Sequence, residues 1–253
     1  MRKRQKFVLT AILLALGIAA IQIAPLGWRY GLVAFLAALS WVLAGWSLKE
    51  GLSGVEWLTV PLPMALYTAG MGFFFILLPS QWWWSVMVLV LFGVGQYALL
   101  LTANIFSVAA IRTIALFRAA SAVGFVMTLA TGFLLYNSLL SFRLASWANG
   151  VGVALISLCL LVPALWSSEL AESVTRRVWF FGVWLAILIG LLAVGVSFWP
   201  VSLAVGSLFL TTALYVYLGI SQHHFSSRLS TRTMWEYVTV GLVVLVTMLV
   251  TAG

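Results

Sequence analysis

The chain has 253 residues, of which 64% are hydrophobic and only 7% are charged, and its mean hydropathy is +1.16. This excess of apolar side chains excludes a water-soluble globular protein, because a core of this size cannot bury them. Each membrane-crossing helix needs about 20 apolar residues, so the chain has room for about eight to ten crossings. We therefore predict one transmembrane domain over residues 1–253, with no separate soluble domain.

Nine apolar stretches follow one another along the chain, separated by breaks rich in charged residues, Pro, Gly or Ser. Their apolar residues do not alternate with polar ones, which favours helices over a transmembrane barrel and predicts an all-α helical bundle. The first stretch is too long for a cleaved signal peptide and predicts a retained signal anchor. The predicted helices cover about 7–24, 28–48, 58–78, 82–101, 119–140, 147–166, 178–197, 200–220 and 234–251.

The positive charges predict how these helices are oriented, because Lys and Arg accumulate on the cytoplasmic side of membrane proteins. With nine helices and a cytoplasmic N-terminus, only Arg29 and Arg143 of the 13 cations fall outside. The C-terminus then lies outside, and we predict a multi-pass protein of the bacterial plasma membrane. The inner cations are Arg2, Lys3, Arg4, Lys6, Lys49, Arg112, Arg118, Arg176, Arg177, Arg228 and Arg232.

Residues 102–118 form the most unusual connection, because apolar and polar residues mix there without a clean amphipathic pattern. Three placements are open: a helix at the inner interface, an extension of the fifth helix, or a contact surface. In the last case, Asn104, Arg112 and Arg118 are the candidate contacts for a protein partner or an anionic ligand.

The same region carries the one resemblance to known proteins. The strings Ile111-Arg112-Thr113-Ile114 and Arg118-Ala119-Ala120 lie within residues 104–134. This stretch resembles a group of polytopic bacterial membrane proteins of unknown function. The resemblance implies a multi-pass membrane protein and no particular activity.

A few polar residues lie inside the predicted helices, and none of them is charged near a helix centre. Tyr67, Gln96 and Asn137 are the candidates for an internal polar path. Hydrogen bonds between helices explain the same residues equally well, since membrane helices use such bonds to associate. Both interpretations stay open.

Residues suited to catalysis or to metal binding are sparse. The chain has no Asp, which removes the usual Asp-based magnesium sites, and the lone Cys159 excludes a thiolate metal cluster. Residues 51–54 match the GxSG string of rhomboid-type proteases, but they lie in a loop, as do the nominal bases His223 and His224. We predict no catalytic, cofactor-binding or metal-binding residues.

Two functions follow from these observations. The first is a nonenzymatic subunit, scaffold or partner-binding membrane protein. The alternative is a transporter, channel or lipid-handling protein for a neutral or amphiphilic substrate. The predicted partners are the lipid bilayer, with anionic headgroups at the inner face, and a membrane or cytoplasmic protein, but no nucleic acid.

Overall fold

The computed structural model describes residues 3–49, 51–52, 56–79, 81–107, 114–169, 174–226 and 229–251. Within these ranges the chain is almost entirely helical. The helices are α1 (Lys3–Ile23), α2 (Leu26–Leu48), α3 (Glu56–Thr59), α4 (Leu62–Leu77), α5 (Trp82–Ser107), α6 (Ile114–Ser141), α7 (Ser146–Glu169), α8 (Arg176–Ser197), α9 (Leu203–Phe225) and α10 (Thr231–Thr251).

Nine helices of the described chain are long and apolar enough to cross a membrane, with the short α3 and α4 counted together as Glu56–Leu77. The all-α class and the nine apolar helices are therefore confirmed. The chain divides into two compact units, residues 1–135 and 136–253. The expectation of a single domain over residues 1–253 stays a prediction.

The helix ends follow from local sequence signals. Pro25 precedes α2 and Pro61 precedes α4, where the missing N–H of proline costs no helical hydrogen bond. Thr175 and Ser202 are the N-caps of α8 and α9. The hydroxyl of each accepts a hydrogen bond from the backbone N–H three residues on, at 3.3 and 3.4 Å. The turn after α6 contains Arg143 in the left-handed conformation, with a φ of 50°.

The first unit is built around α1, α2, α4 and α5. The helix α1 packs on α2, α4 and α5, and α2 packs on α4 and α5. Their shared interior holds fully buried apolar side chains: Leu14, Ile18, Val33, Phe92 and Leu100. Each of these helices presents apolar residues all round, which is typical of helices without a water-facing side.

In the second unit, α7 and α8 form the most extensive helix pair, and two glycines lie where they cross. A methyl group on Gly190 would lie 2.7 Å from the backbone oxygen of Gly150 and 2.8 Å from the Cβ of Ala154. Only glycine lets the two backbones approach this closely, as small residues do at helix crossings generally.

The helix α9 packs on several helices of the second unit. It packs on α7, where Gln222 donates from Nε2 to the carbonyl of Ala164 at 3.0 Å, just after the helix-internal Pro163. It also packs on α10, whose Tyr237 ring lies 4.8 Å from that of Tyr215. Most of the α10 surface is exposed.

The close approach of Gly190 to Gly150 can be tested by measuring stability. Gly190→Ala should lower the Tm of the purified protein, because the new methyl group meets a backbone oxygen that cannot move cheaply. Overpacking of this kind costs about 1–3 kcal/mol. The matched control is Gly195→Ala on the same helix, where a methyl group meets no atom within 4 Å. The control should keep its Tm, and equal losses in both variants would contradict the packing argument.

Candidate functional site

The helices α5 and α6 are the longest of the chain, with 26 and 28 residues. At a rise of 1.5 Å per residue they measure about 39 and about 42 Å. Both exceed the roughly 30 Å thickness of the hydrocarbon core of a bilayer. The C-terminal end of α5 and the N-terminal end of α6 lie together, and we name residues 102–107 and 114–118 the α5–α6 tip.

Aromatic packing joins the two halves of this tip. The rings of Phe106 and Phe117 meet edge to face, with their centroids 5.8 Å apart. Phe106 is 7% exposed and lies against Gly124 of α6, as does Thr102. Edge-to-face pairs contribute about 0.5–1.5 kcal/mol beyond the burial of their area. Phe106 therefore connects the two halves of the tip through its contacts with Phe117 and Gly124.

Two of the three contact residues predicted from the sequence lie on this tip. Asn104 is half-buried, and its backbone carbonyl accepts a hydrogen bond from the Ser107 hydroxyl at 3.4 Å. Arg118 is exposed, and Arg112 lies outside the described residues. Of the three placements left open, an extension of the fifth predicted helix is found for residues 114–118, which form the start of α6. Residues 102–107 instead form the end of α5, the fourth membrane-length helix, which ends at Ser107 rather than near residue 101.

The interior of the first unit holds the second predicted site. Gln96 of α5 is fully buried, and its Nε2 donates to the Ser40 hydroxyl of α2 at 3.0 Å. Its other amide atom, Oε1, is buried and accepts no hydrogen bond within the described chain. An unpaired buried carbonyl costs about 1–3 kcal/mol, so this atom lowers the stability of the unit.

Tyr67 connects α4 to α5 in the same unit. Its hydroxyl donates to the carbonyl of Leu91 at 3.1 Å, and its ring stacks on Phe92 at 5.5 Å. A side chain at Gly95 would collide with the Tyr67 hydroxyl, so this glycine makes room for it. Tyr67 therefore packs between two helices and makes a defined bond to the backbone.

Asn137, the third member of the predicted polar path, belongs to the second unit and is half-buried on α6. Tyr67 and Gln96 thus lie on neighbouring helices of one unit, while Asn137 lies in the other. The structure supports interhelical bonding for the first two residues. The path through all three stays a prediction.

The sequence reasoning missed further side-chain hydrogen bonds between helices. The hydroxyls of Thr10 and Ser47 meet at 3.1 Å in the interior of the first unit, and Ser85 donates to Oε1 of Gln22 at 2.9 Å. In the second unit, the buried hydroxyls of Tyr136 and Ser157 meet at 2.7 Å. Ser and Thr are too common in apolar helices for the sequence alone to mark which of them face another helix.

The side chains with acid–base or metal-binding chemistry are engaged in local contacts. Glu169 accepts a hydrogen bond from the Thr175 hydroxyl at 2.7 Å. The expectation that His223 and His224 lie in a loop is wrong: both lie in the last turn of α9, beside aromatic rings. Among the described residues, no three His, Cys, Asp or Glu side chains form a metal-binding group. Ser53 of the GxSG string lies outside the described residues.

The sequence pattern of the family described as "Protein of unknown function (DUF5656)" matches residues 32–251. This match covers residues 104–134 and most of the rest of the chain. The resemblance of residues 104–134 to polytopic bacterial membrane proteins stays a prediction. No curated protein and no solved structure matches the chain.

Proposed function

We propose that the chain, which belongs to the DUF5656 family, is a multi-pass protein of the bacterial plasma membrane. Its N-terminus is cytoplasmic and its C-terminus lies outside. The helix ends support this orientation: cations cluster at the starts of α1, α6, α8 and α10 and just after the end of α2. These ends share one side if nine helices alternate in direction. The other ends carry only Arg29 and Arg143.

The orientation is testable with fused reporters. An alkaline phosphatase fused after Gly253 should be active, because this enzyme folds only outside the cytoplasm, and a fluorescent protein at the same place should stay dark. As a control, the phosphatase fused after Lys49 should be inactive. A fluorescent C-terminal fusion, or equal phosphatase activity at both positions, would overturn the proposed orientation.

We further propose that the protein is a nonenzymatic subunit or scaffold that binds a membrane or cytoplasmic protein partner through the α5–α6 tip. The observation that carries this proposal is the length of α5 and α6 together with the Phe106–Phe117 contact that holds their ends. On the proposed orientation the tip projects at the inner face, where it presents Arg118 among anionic headgroups. Helix ends that already touch lose less conformational freedom on binding than separate segments would.

The tip can be tested in cells by placing a photoreactive phenylalanine analogue at position 118 or, as a control, at position 176. Both residues are exposed arginines near the start of a helix on the same proposed side. Position 118 should give one defined protein adduct that position 176 does not. Arg118→Glu should reduce co-purification of that adducted protein about tenfold, the effect of about 1.4 kcal/mol. Lipid adducts alone, or identical adducts from both positions, would contradict the partner proposal.

The alternative function, a transporter, channel or lipid-handling protein for a neutral or amphiphilic substrate, draws on a different observation. The Oε1 atom of Gln96 is buried in the first unit without a partner in the described chain. A polar substrate group that donates a hydrogen bond would satisfy it. This atom therefore favours a polar interior that binds a substrate.

Two variants of the buried pair separate these functions. Gln96→Leu removes one interhelical bond, worth about 0.6 kcal/mol on average in a membrane, and also removes the unpaired carbonyl, which costs more, so its Tm should not fall below that of the wild type. Ser40→Ala leaves the whole amide unpaired and should lower the Tm.

In liposomes, we expect neither wild type nor variants to move glycerol or a fluorescent phospholipid. Wild-type flux that Gln96→Leu abolishes would establish the alternative instead.

A further inference from the structure

Two cations at the start of α1 have different surroundings. The Lys6 ammonium lies 5.2 Å from the centre of the Trp46 ring on α2, a cation–π contact that accounts for its position. Arg4 is exposed and lies on another face of the helix. It borders an open apolar surface that continues along α1 to Leu16.

This surface leads into a groove between α1 and α5. The groove has a volume of about 380 Å³, and its lining is almost entirely apolar. Val8 and Ile12 line both the groove and the surface beside Arg4, so the two are continuous. The groove is open at Gly93 of α5, where an added methyl group would meet no atom within 4 Å. A cation therefore lies at one end of an apolar groove that has room for an occupant.

The groove and the adjoining surface together have the depth of one membrane leaflet. From Arg4 to Leu16 the axis of α1 rises about 18 Å, at 1.5 Å per residue. Half of the roughly 30 Å hydrocarbon core of a bilayer is about 15 Å. On the proposed orientation, an apolar chain that begins near Arg4 at the inner face therefore ends near the bilayer midplane.

Tyr97 of α5 adds a polar atom to the wall of this groove. It is half-buried, and its hydroxyl makes no hydrogen bond to another described residue. The Ser85 hydroxyl at the start of α5 bonds to Gln22 at the end of α1, so the two helices are antiparallel and Tyr97 lies at the Val8 end of the groove.

Unlike the amide oxygen of Gln96, the Tyr97 hydroxyl is not enclosed by protein, so an occupant of the groove can reach it. Hydrocarbon offers no acceptor to this O–H group, and leaving it unpaired costs free energy. An occupant that satisfies the groove therefore combines three parts in order: an anionic group, a hydrogen-bond acceptor and an apolar chain.

We propose that the groove between α1 and α5 binds one anionic phospholipid of the inner leaflet. Its phosphate pairs with Arg4, an ester carbonyl accepts a hydrogen bond from Tyr97, and one acyl chain lies along the groove over Gly93. Anionic lipids give the cytoplasmic face of a membrane its negative potential, which complements the cationic end of the groove. The site goes beyond the partner-binding function of the α5–α6 tip and uses the proposed orientation only to name the leaflet.

Lipid retention tests the headgroup contact. The full-length protein is equilibrated in nanodiscs that mix phosphatidylglycerol with phosphatidylcholine, and the lipid retained on transfer to detergent is measured by native mass spectrometry. Phosphatidylglycerol should be enriched, and Arg4→Gln should lower its retention about fivefold, the factor given by about 1 kcal/mol. Lys6→Gln, the matched cation on the same helix, should leave retention unchanged. Equal effects of the two variants, or retention without headgroup preference, would overturn the proposal.

Filling the groove tests the position of the acyl chain. Gly93→Leu should abolish retention of phosphatidylglycerol while the Tm stays at the wild-type value, because the new side chain enters open space. The matched control is Gly31→Leu on α2, an exposed glycine that also has no atom within 4 Å of an added methyl group. Unchanged retention in Gly93→Leu contradicts the proposal. So does a dimer that Gly93→Leu disrupts, since a helix of a second copy would then occupy the groove.

The ester contact is tested with Tyr97→Phe, which removes only the hydroxyl. Retention of ester-linked phosphatidylglycerol should fall about threefold, the size expected for one hydrogen bond in a membrane. An ether-linked phosphatidylglycerol has no ester carbonyl, so wild type and Tyr97→Phe should retain it equally. A loss of both lipids alike in Tyr97→Phe, or of neither, would overturn the assigned contact.

Discussion

A polar group in an apolar interior must find its hydrogen-bond partner within the protein, and this requirement shapes the whole chain. Helices satisfy the backbone along their own length. Many hydroxyl side chains do the same locally by donating to the carbonyl four residues earlier, as Thr68, Thr131 and Thr212 do. The few bonds that cross between helices, such as those of Thr10 and Gln96, then fix which helix faces meet. Against this background, the unpaired oxygens of Gln96 and Asn149 are exceptions among the described residues.

The same requirement explains which parts of the structure the sequence could predict. Apolar stretches with polar breaks predict helix number and approximate ends well, because each helix is stabilised mainly by its own backbone bonds. The prediction was less accurate at the α5–α6 tip, where α5 continues to Ser107. There the residues are mixed in polarity, so hydropathy stops before the helix does. Packing of Phe106 on Phe117, which joins the two helices, is a tertiary contact that no local pattern contains.

The candidate sites show the same division. Gln96 and Tyr67 stand out in the sequence because polar residues are rare inside apolar helices, yet their partners Ser40 and the Leu91 carbonyl do not. Asn149 lies near the start of an apolar stretch, where an amide has an ordinary explanation in contact with water or headgroups. Its hydrogen-bond partner Ser197 lies 48 residues further on. The division of the chain into two units likewise depends on long-range packing, such as the Gly150–Gly190 crossing.

Arg29 and Arg143 show that the positive-inside rule and the local contacts of a residue must be considered separately. The positive-inside rule treats the two residues as the same kind of exception, since both would lie outside in the proposed orientation. Their contacts differ: the guanidinium of Arg29 bonds to backbone carbonyls of its own neighbourhood, which accounts for its place at the end of α1. Arg143 instead borders a cleft at which the helices α7 and α9 begin. Helix capping therefore accounts for the position of Arg29, whereas the charge count alone does not say what Arg143 contacts.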